Sequence, residues 1–205
     1  MYDLIIKNIK IYDGSGGEPF ISDVGIKGDR IVKIGNINPE PRTPNPELKG
    51  DGLCLSPGFV DIHSHSDYYL LIDPLAQSKV RQGVTTEVGG NCGYSAAPIF
   101  GVPLEERRKP YKEQLGLDLN WTDLKGYIER LEKDGISLNY CQLAGHNTIR
   151  ASVMGVVDRE PSQDEMKKME RVIEKAMDDG AVGMSVGFAY TPSCFAKKEE
   201  VSRLC

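Results

Sequence analysis

The chain lacks the features of nucleic-acid-binding and membrane proteins. Its 30 Asp and Glu outnumber its 25 Lys and Arg, and the basic residues form no cluster that could follow a phosphate backbone. No apolar run approaches the roughly 18 residues that a membrane span needs, and the N-terminus lacks the pattern of a secretory signal. These absences predict a soluble, cytoplasmic protein that binds a small molecule, with no nucleic-acid or membrane partner.

Cysteine and histidine are both scarce. The 205 residues include five cysteines, an odd number, and no two of them stand in C-x-x-C spacing, which is typical of a reducing compartment rather than of a disulfide framework or a zinc ribbon. The chain has three histidines. The position of each one is therefore informative.

Residues 1–55 carry the pattern of a small all-β domain. Leu4, Ile6 and Ile11 alternate with polar residues, and residues 21–35 contain two short strands around a Gly-Asp turn. The proline-rich stretch 38–52 predicts a loop. We interpret residues 1–55 as a small β-sandwich segment beside a main domain.

In residues 56–205 apolar strands alternate with helices, which is the pattern of βαβ units in a parallel sheet. The predicted strands are 55–63, 84–90, 137–145 and 181–190. The predicted helices are 73–83, 121–135 and 161–180, with another beginning at 196 and a long loop before residue 121. Four such units form either an open α/β sheet or the first half of a (β/α)₈ barrel, which takes about 250 residues when complete.

Two of these helices carry end signals. Thr122 is the expected N-cap of one, and Ser162 with Glu165 forms a capping box at the start of the other. The second helix has an apolar face at helical spacing, which predicts core packing for Met166, Met169, Val172, Ile173, Ala176 and Met177.

Two of the three histidines stand at the end of the first predicted strand, in SPGFVDIHSHSD. Residues two apart on a strand point to the same face, so His63 and His65 are expected to project together at its carboxyl end. Two neutral imidazoles so placed can hold a zinc ion. The alternative is one core histidine and one surface histidine, but the position after an apolar strand favours the metal.

Other candidate residues follow the next strands. Cys92 lies in the glycine-rich GGNCGYS after the second strand and is a candidate third ligand, although lone cysteines are more often buried and inert. His146 and Arg150 follow the third strand, and Tyr190 follows the fourth. These three are candidates for contacting substrate, and the alternative for His146 is a helix cap or a loop hydrogen bond. Asp67 is a candidate for orienting an imidazole.

Four blocks together resemble the N-acyl-D-amino-acid deacylases (D-aminoacylases) of the amidohydrolase superfamily: SPGFVDIHSHSD, GVTTEVGGNCGYSAAP, AGHNTIRASVMG and GAVGMSVGFAYTPSCFA. The resemblance implies a (β/α)₈ barrel beside a small β-sandwich, of which this chain is the N-terminal part, and one or two zinc ions at the barrel mouth. It implies hydrolysis of the amide bond of N-acyl-D-amino acids. His63 and His65 match the family's metal-binding H-x-H, and Cys92 matches its metal-binding cysteine.

The resemblance also implies what this chain does not contain. Two further ligand histidines and the aspartate that moves the proton lie on later strands of the family, beyond residue 205, so the fragment alone is expected to be inactive. The zinc would polarise the amide carbonyl and lower the pKa of its bound water toward about 7.

Three alternatives stay open. The chain could be a non-catalytic truncated paralogue that acts as a binding or assembly module, with a second copy or a complementing C-terminal half as its partner. It could belong to another amidohydrolase branch, such as the dihydropyrimidinases or dihydroorotases, although the cysteine block and the GHNTIR block count against this. It could also be a doubly wound domain without a metal, whose stability would not respond to chelators.

Overall fold

The structure, a computed structural model, describes residues 2–38 and 46–205. The chain divides into two compact units, Met1–Gly58 and Phe59–Cys205. The strands are β1 Leu4–Ile11, β2 Phe20–Lys27, β3 Arg30–Ile34, β4 Glu47–Lys49, β5 Cys54–Leu55, β6 Phe59–Asp61, β7 Val84–Gly89, β8 Asn139–Gln142, β9 Ala144–Gly145 and β10 Met184–Ser185. The α-helices are α1 Gln77–Val80, α2 Val102–Leu115, α3 Leu124–Asp134, α4 His146–Met154, α5 Gln163–Asp178 and α6 Lys198–Leu204.

The first unit is a five-stranded sheet in the order β3-β2-β1-β4, with β5 also paired to β1. The predicted alternation changes phase within β1, because Asn8 has a left-handed backbone (φ 55°) and the register against β2 shifts between Ile6 and Ile9. This bulge allows Ile6, Ile9 and Ile11 to share one buried cluster with Val24. The second layer of a sandwich stays a prediction.

The predicted loop 38–52 is only partly covered by the structure. Residues 39–45 lie outside the described residues. In the described part the loop prediction is wrong for Glu47–Lys49, which pair in parallel with β1 as β4.

The second unit is a mixed α/β domain. Strands β6, β7 and β8 form a parallel three-stranded sheet in that order, and β9 and β10 form a separate parallel pair. The strands in the described residues do not form a closed barrel. The half-barrel therefore stays a prediction. The core packs α3, α4 and α5 around Trp121, Tyr127, Ile149 and Met169. Among the residues that the structure covers, no helix is long and apolar enough to cross a bilayer.

The first strand of this unit differs from its prediction. The sequence predicts a long buried strand at 55–63, but β6 covers only three residues, and Phe59 and Val60 are 60% and 56% exposed. Strand β6 is at the edge of its sheet, paired on one side with β7, and its side chains are not part of the buried core of this unit. The fourth predicted strand is also shorter, since pairing there is confined to the two residues of β10.

The helices correct three predictions. The helix expected at 73–83 is the single turn α1. Asp123, not Thr122, caps α3, because its carboxylate accepts a hydrogen bond from the Gly126 amide at 3.0 Å. The predicted long loop contains α2, whose only buried residue is Leu104, so the apolar spacing that would indicate a helix is absent from its sequence.

Helix α5 follows its prediction closely. Both hydrogen bonds of the capping box between Ser162 and Glu165 are present. The Glu165 carboxylate also pairs with Arg159 at 2.7 Å, and this hydrogen bond, followed by the one from the Ser162 amide, lowers the pKa of Glu165 to about 2. Met166 and Met169 are buried in the core as predicted. Met177 is 45% exposed, so the prediction of core packing is wrong for this residue.

Candidate metal centre

Exposed and more buried side chains alternate in the segment that follows β6. The Ser64 and Ser66 hydroxyls donate hydrogen bonds to the two carboxylate oxygens of Glu87 at 3.0 and 2.5 Å. His63 and His65 alternate with these serines, and their rings lie 5.5 Å apart between centroids. The serines thus fix the segment from one side, while the histidines are exposed on the other.

Glu87 is the centre of a charged network beneath the histidines. It lies in β7 and is fully buried. The Lys79 ammonium lies 2.8 Å from its carboxylate and 2.6 Å from that of Asp61. Hydrogen bonds to Asp61 and then to Glu87 raise the pKa of Lys79. The Asp61 carboxylate accepts a hydrogen bond from the His63 amide at 3.1 Å, so the network reaches the first histidine of the H-x-H motif.

Cys92 lies in a tight turn directly after β7. Its backbone is left-handed (φ 54°), which is uncommon for a residue with a side chain. A neighbouring chain segment approaches it closely, since a Cβ atom at Gly187 would lie 2.1 Å from the Cys92 carbonyl oxygen. The sequence therefore needs glycine at position 187 to let the two loops meet.

Hydrogen bonds tie this turn to its neighbours. The Asn91 amide group donates to the carbonyl oxygens of Val88 at 2.7 Å and Ser64 at 3.3 Å. The Asn147 amide group donates to the Cys92 carbonyl at 3.1 Å. The cysteine loop is therefore connected both to the histidine segment and to the start of α4, although these are far apart in sequence.

The structure brings together the three side chains that the sequence indicates as metal ligands. The donor atoms of His63, His65 and Cys92 all lie within 4.8 Å of one another, and His63 Nε2 lies 3.2 Å from Cys92 Sγ. We refer to these three side chains as the histidine–cysteine cluster. Imidazole nitrogen and thiolate sulfur are ligands that zinc prefers. The chemistry and spacing of the donors thus fit a zinc ion.

Asp67 has other partners than the imidazole expected from the sequence. Its Oδ1 accepts hydrogen bonds from the Gly90 amide at 2.9 Å, the Gln142 side chain at 3.2 Å and the Ala96 amide at 3.4 Å. Burial raises the pKa of this carboxyl group, against the effect of those hydrogen bonds. Asp67 therefore joins the segment after β6 to the loop after β7 and to the end of β8, and none of its hydrogen bonds in the described residues goes to a histidine.

His146 and Arg150 have no surface that a substrate could reach. Both are completely buried in α4. His146 Nε2 lies 3.0 Å from Glu200 Oε1, and Arg150 Nε donates to the same oxygen at 2.9 Å. The Ser193 hydroxyl lies 2.5 Å from His146 Nδ1. The geometry thus favours a structural role for both residues rather than the expected contact with substrate.

Tyr190 is half exposed, and its ring packs 5.7 Å from that of Tyr94. The Tyr94 hydroxyl donates to the Thr191 carbonyl at 2.9 Å. This position is compatible with the expected role as a pocket wall, which stays a prediction.

Sequence reasoning missed Glu87 and Asn91. Glu87 had a signal, because it is a charged residue inside an otherwise buried strand, where carboxylates are rare unless they are paired. Asn91 had none, since asparagine beside glycine is ordinary in turns.

We expect Glu87 to position the histidines, and its replacement to weaken zinc binding. Glu87→Ala removes the acceptor of both serine hydroxyls and should lower zinc affinity by about tenfold or more, the usual effect of losing a group that orients metal ligands. Glu87→Gln keeps one acceptor oxygen, so its zinc affinity should lie between those of the wild type and Glu87→Ala. Competition titration with a chromophoric chelator measures these affinities, with Thr85→Ala on the same strand as the control. Equal affinities in all four proteins would contradict this role.

The chain is similar to known proteins over nearly its whole length. It is 36% identical over 202 residues to the N-acyl-D-glutamate deacylase of Alcaligenes xylosoxydans xylosoxydans, covering 98% of this chain and 40% of that protein. A crystal structure of D-aminoacylase, described as defining a novel subset of amidohydrolases, matches with a TM-score of 0.86 and 33% identity, covering 100% of this chain and 42% of that one. No family model matches.

A second solved structure shows such a relative with a metal. The N-acyl-D-glutamate deacylase of Bordetella bronchiseptica, complexed with zinc and a phosphonate inhibitor that mimics the tetrahedral intermediate, matches with a TM-score of 0.85 and 30% identity, covering 99% of this chain and 42% of that one. The chain thus spans about 40% of the length of the curated relatives it matches.

Proposed function

We propose that this chain supplies part of a zinc site for hydrolysing the amide bond of N-acyl-D-amino acids. It resembles the N-terminal part of the N-acyl-D-amino-acid deacylases, which are metal-dependent amidohydrolases. The observation that carries this proposal is the convergence of the donor atoms of His63, His65 and Cys92 within 4.8 Å. The names of the relatives support the substrate class.

The chain's own residues have separable roles in this proposal. His63, His65 and Cys92 hold the ion. Glu87 and Asn91 hold the ligand-bearing loops through the contacts described above. When bound, zinc supplies a Lewis acid that polarises an amide carbonyl and makes water a better nucleophile at neutral pH.

We propose that the chain by itself is nearly inactive, because no histidine in the described residues is placed to act as a general base beside the cluster. The third histidine, His146, is fully buried and bonded to Glu200, so it has no access to the histidine–cysteine cluster. General acid–base help is usually worth about 10²–10⁴-fold in rate. A complete site would need a general base beside the cluster.

Metal analysis paired with a hydrolysis assay tests this proposal. Purified chain should retain zinc that a chelator removes, and should hydrolyse N-acetyl-D-glutamate poorly or not at all. A version extended to the length of the relatives should hydrolyse it and lose activity with the chelator. An extended protein that binds no metal and is inert would rule out the proposed function.

A second candidate function, a non-catalytic assembly module, is favoured by the exposed apolar side chains around β6. Phe59, Val60 and Ile62 are 60%, 56% and 72% exposed, and an uncovered apolar edge strand is a site for pairing with another chain. We expect a dimer in sedimentation velocity that Val60→Lys, on this edge, dissociates. A wild-type chain that stays monomeric at all concentrations would exclude this function.

A further inference from the structure

A cavity of about 220 Å³ lies beside the histidine–cysteine cluster and shares His65 with it. Its other walls include Tyr68, Tyr94, Arg107 and Tyr111. We call it the tyrosine–arginine pocket. Helix α2, which was not expected from the sequence, supplies Arg107 and Tyr111 and so builds one side of it.

Arg107 is a cation without a carboxylate partner in the described parts of the chain. Its neighbour Arg108 pairs with Glu105 at 2.5 Å, and the buried Arg150 pairs with Glu200 at 2.9 Å. Arg107 instead donates one hydrogen bond, from Nη1 to the Tyr68 hydroxyl at 3.1 Å. Its remaining N–H groups donate to no protein acceptor among the described residues, although the side chain is half-buried.

The tyrosine rings of the pocket lie beside the Arg107 guanidinium but carry no negative charge that would pair with it. The Tyr68 ring packs edge-on against Tyr111, with 4.7 Å between centroids. Burial raises the pKa of Tyr68 to about 12, although Arg107 acts in the opposite direction, so the phenol stays uncharged at neutral pH. The carboxylate in the same wall, Asp67, already accepts hydrogen bonds from the Gly90 and Ala96 amides.

We propose that Arg107 binds a carboxylate of the substrate, while the tyrosine rings pack against the substrate's hydrocarbon part. The inference rests on the proposed function for its substrate class. A guanidinium is the side chain best matched to a carboxylate, because it offers parallel N–H donors in a fixed plane. Its place beside His65 sets a carboxylate next to the cluster at which the amide would be cleaved.

An N-acyl-D-amino acid with an acidic side chain has two carboxylates, and two probes separate them. N-acetyl-D-glutamine keeps the α-carboxylate alone, and N-acetyl-D-isoglutamine keeps the side-chain carboxylate alone. Affinities for the metal-free chain, measured by NMR titration, avoid both hydrolysis and any dependence on zinc. Arg107→Met should weaken binding of at least one probe by about tenfold or more, because it removes a charge-assisted hydrogen bond.

The control is Arg108→Met, which removes an exposed arginine already paired with Glu105 and should leave both affinities unchanged. Loss confined to the first probe identifies the α-carboxylate as the ligand, and loss confined to the second identifies the side-chain carboxylate. Unchanged affinities for both probes in Arg107→Met, with unfolding as in the wild type, would overturn the proposal. Zinc binding by the wild-type chain is measured separately and reports on the proposed function. The proposed function and the role of Arg107 can therefore fail independently.

Discussion

Replacing Cys92 by serine should lower the zinc affinity of this chain by on the order of a hundredfold. Zinc binds the thiolate, and a serine hydroxyl does not ionise at neutral pH to replace it. Serine is similar in size and leaves the backbone of the turn unchanged, so the fold should persist. Competition with a chromophoric chelator measures the affinity, and thermal unfolding with and without zinc provides an independent reading.

The matched control is Cys141→Ser, which changes another free cysteine of intermediate burial. It should bind zinc as the wild type does. His63→Ala and His65→Ala should each resemble Cys92→Ser, because each removes one donor of the same cluster. If Cys92→Ser binds zinc as tightly as Cys141→Ser does, Cys92 is not a ligand, whatever the histidines do.

Replacing Glu200 by glutamine should destabilise the second unit by about 3–5 kcal/mol, the usual cost of removing one partner from a buried charge pair. Arg150 would then be left charged and completely buried without its carboxylate. Urea unfolding followed by the fluorescence of Trp121, the single tryptophan, reports on this unit because Trp121 belongs to its core.

The effect of Glu200→Gln should also depend on pH. Burial alone would raise the pKa of Glu200, but the hydrogen bond from His146 and the charge of Arg150 outweigh burial, so the pKa is lowered. A lowered pKa in the folded state means that the stabilisation is full above the unfolded-state pKa and is lost as the pH falls through the folded-state pKa. The difference between wild type and variant should therefore narrow in acid. The control is Glu199→Gln, which changes an exposed neighbour. If Glu199→Gln loses as much stability as Glu200→Gln, the stabilising role of the buried Glu200–Arg150 pair is contradicted.

Local sequence signals predicted the elements whose stability depends on nearby residues. The capping box of α5 requires only Ser162 and Glu165, three residues apart, and both hydrogen bonds form. The Gly-Asp turn between β2 and β3 is equally local. By contrast, α2 has Pro110 in its interior and a single buried side chain, so its sequence lacks the apolar face by which a helix is recognised.

The side chains expected to contact substrate show the same division. A histidine with an arginine one helical turn later gives the same pattern whether it faces a cavity or the core. The structure buries His146 and Arg150 because Glu200, some fifty residues further along, supplies the carboxylate that both require. Arg107 had no motif, and only the position of α2 beside the tyrosine rings makes it a candidate anion ligand.

The sequence by itself predicted that the side chains of His63 and His65 lie together, because residues two apart on a strand point to the same face. The local spacing of apolar residues likewise determined the all-β character of the first unit and the buried face of α5. Only the tertiary structure decided that Cys92 joins the histidines, that Glu87 holds the two serines that alternate with them, and that Arg107 lies beside His65. Those contacts form between loops separate in the chain, and their distances depend on how the strands pair and how closely glycines such as Gly187 let the backbones approach.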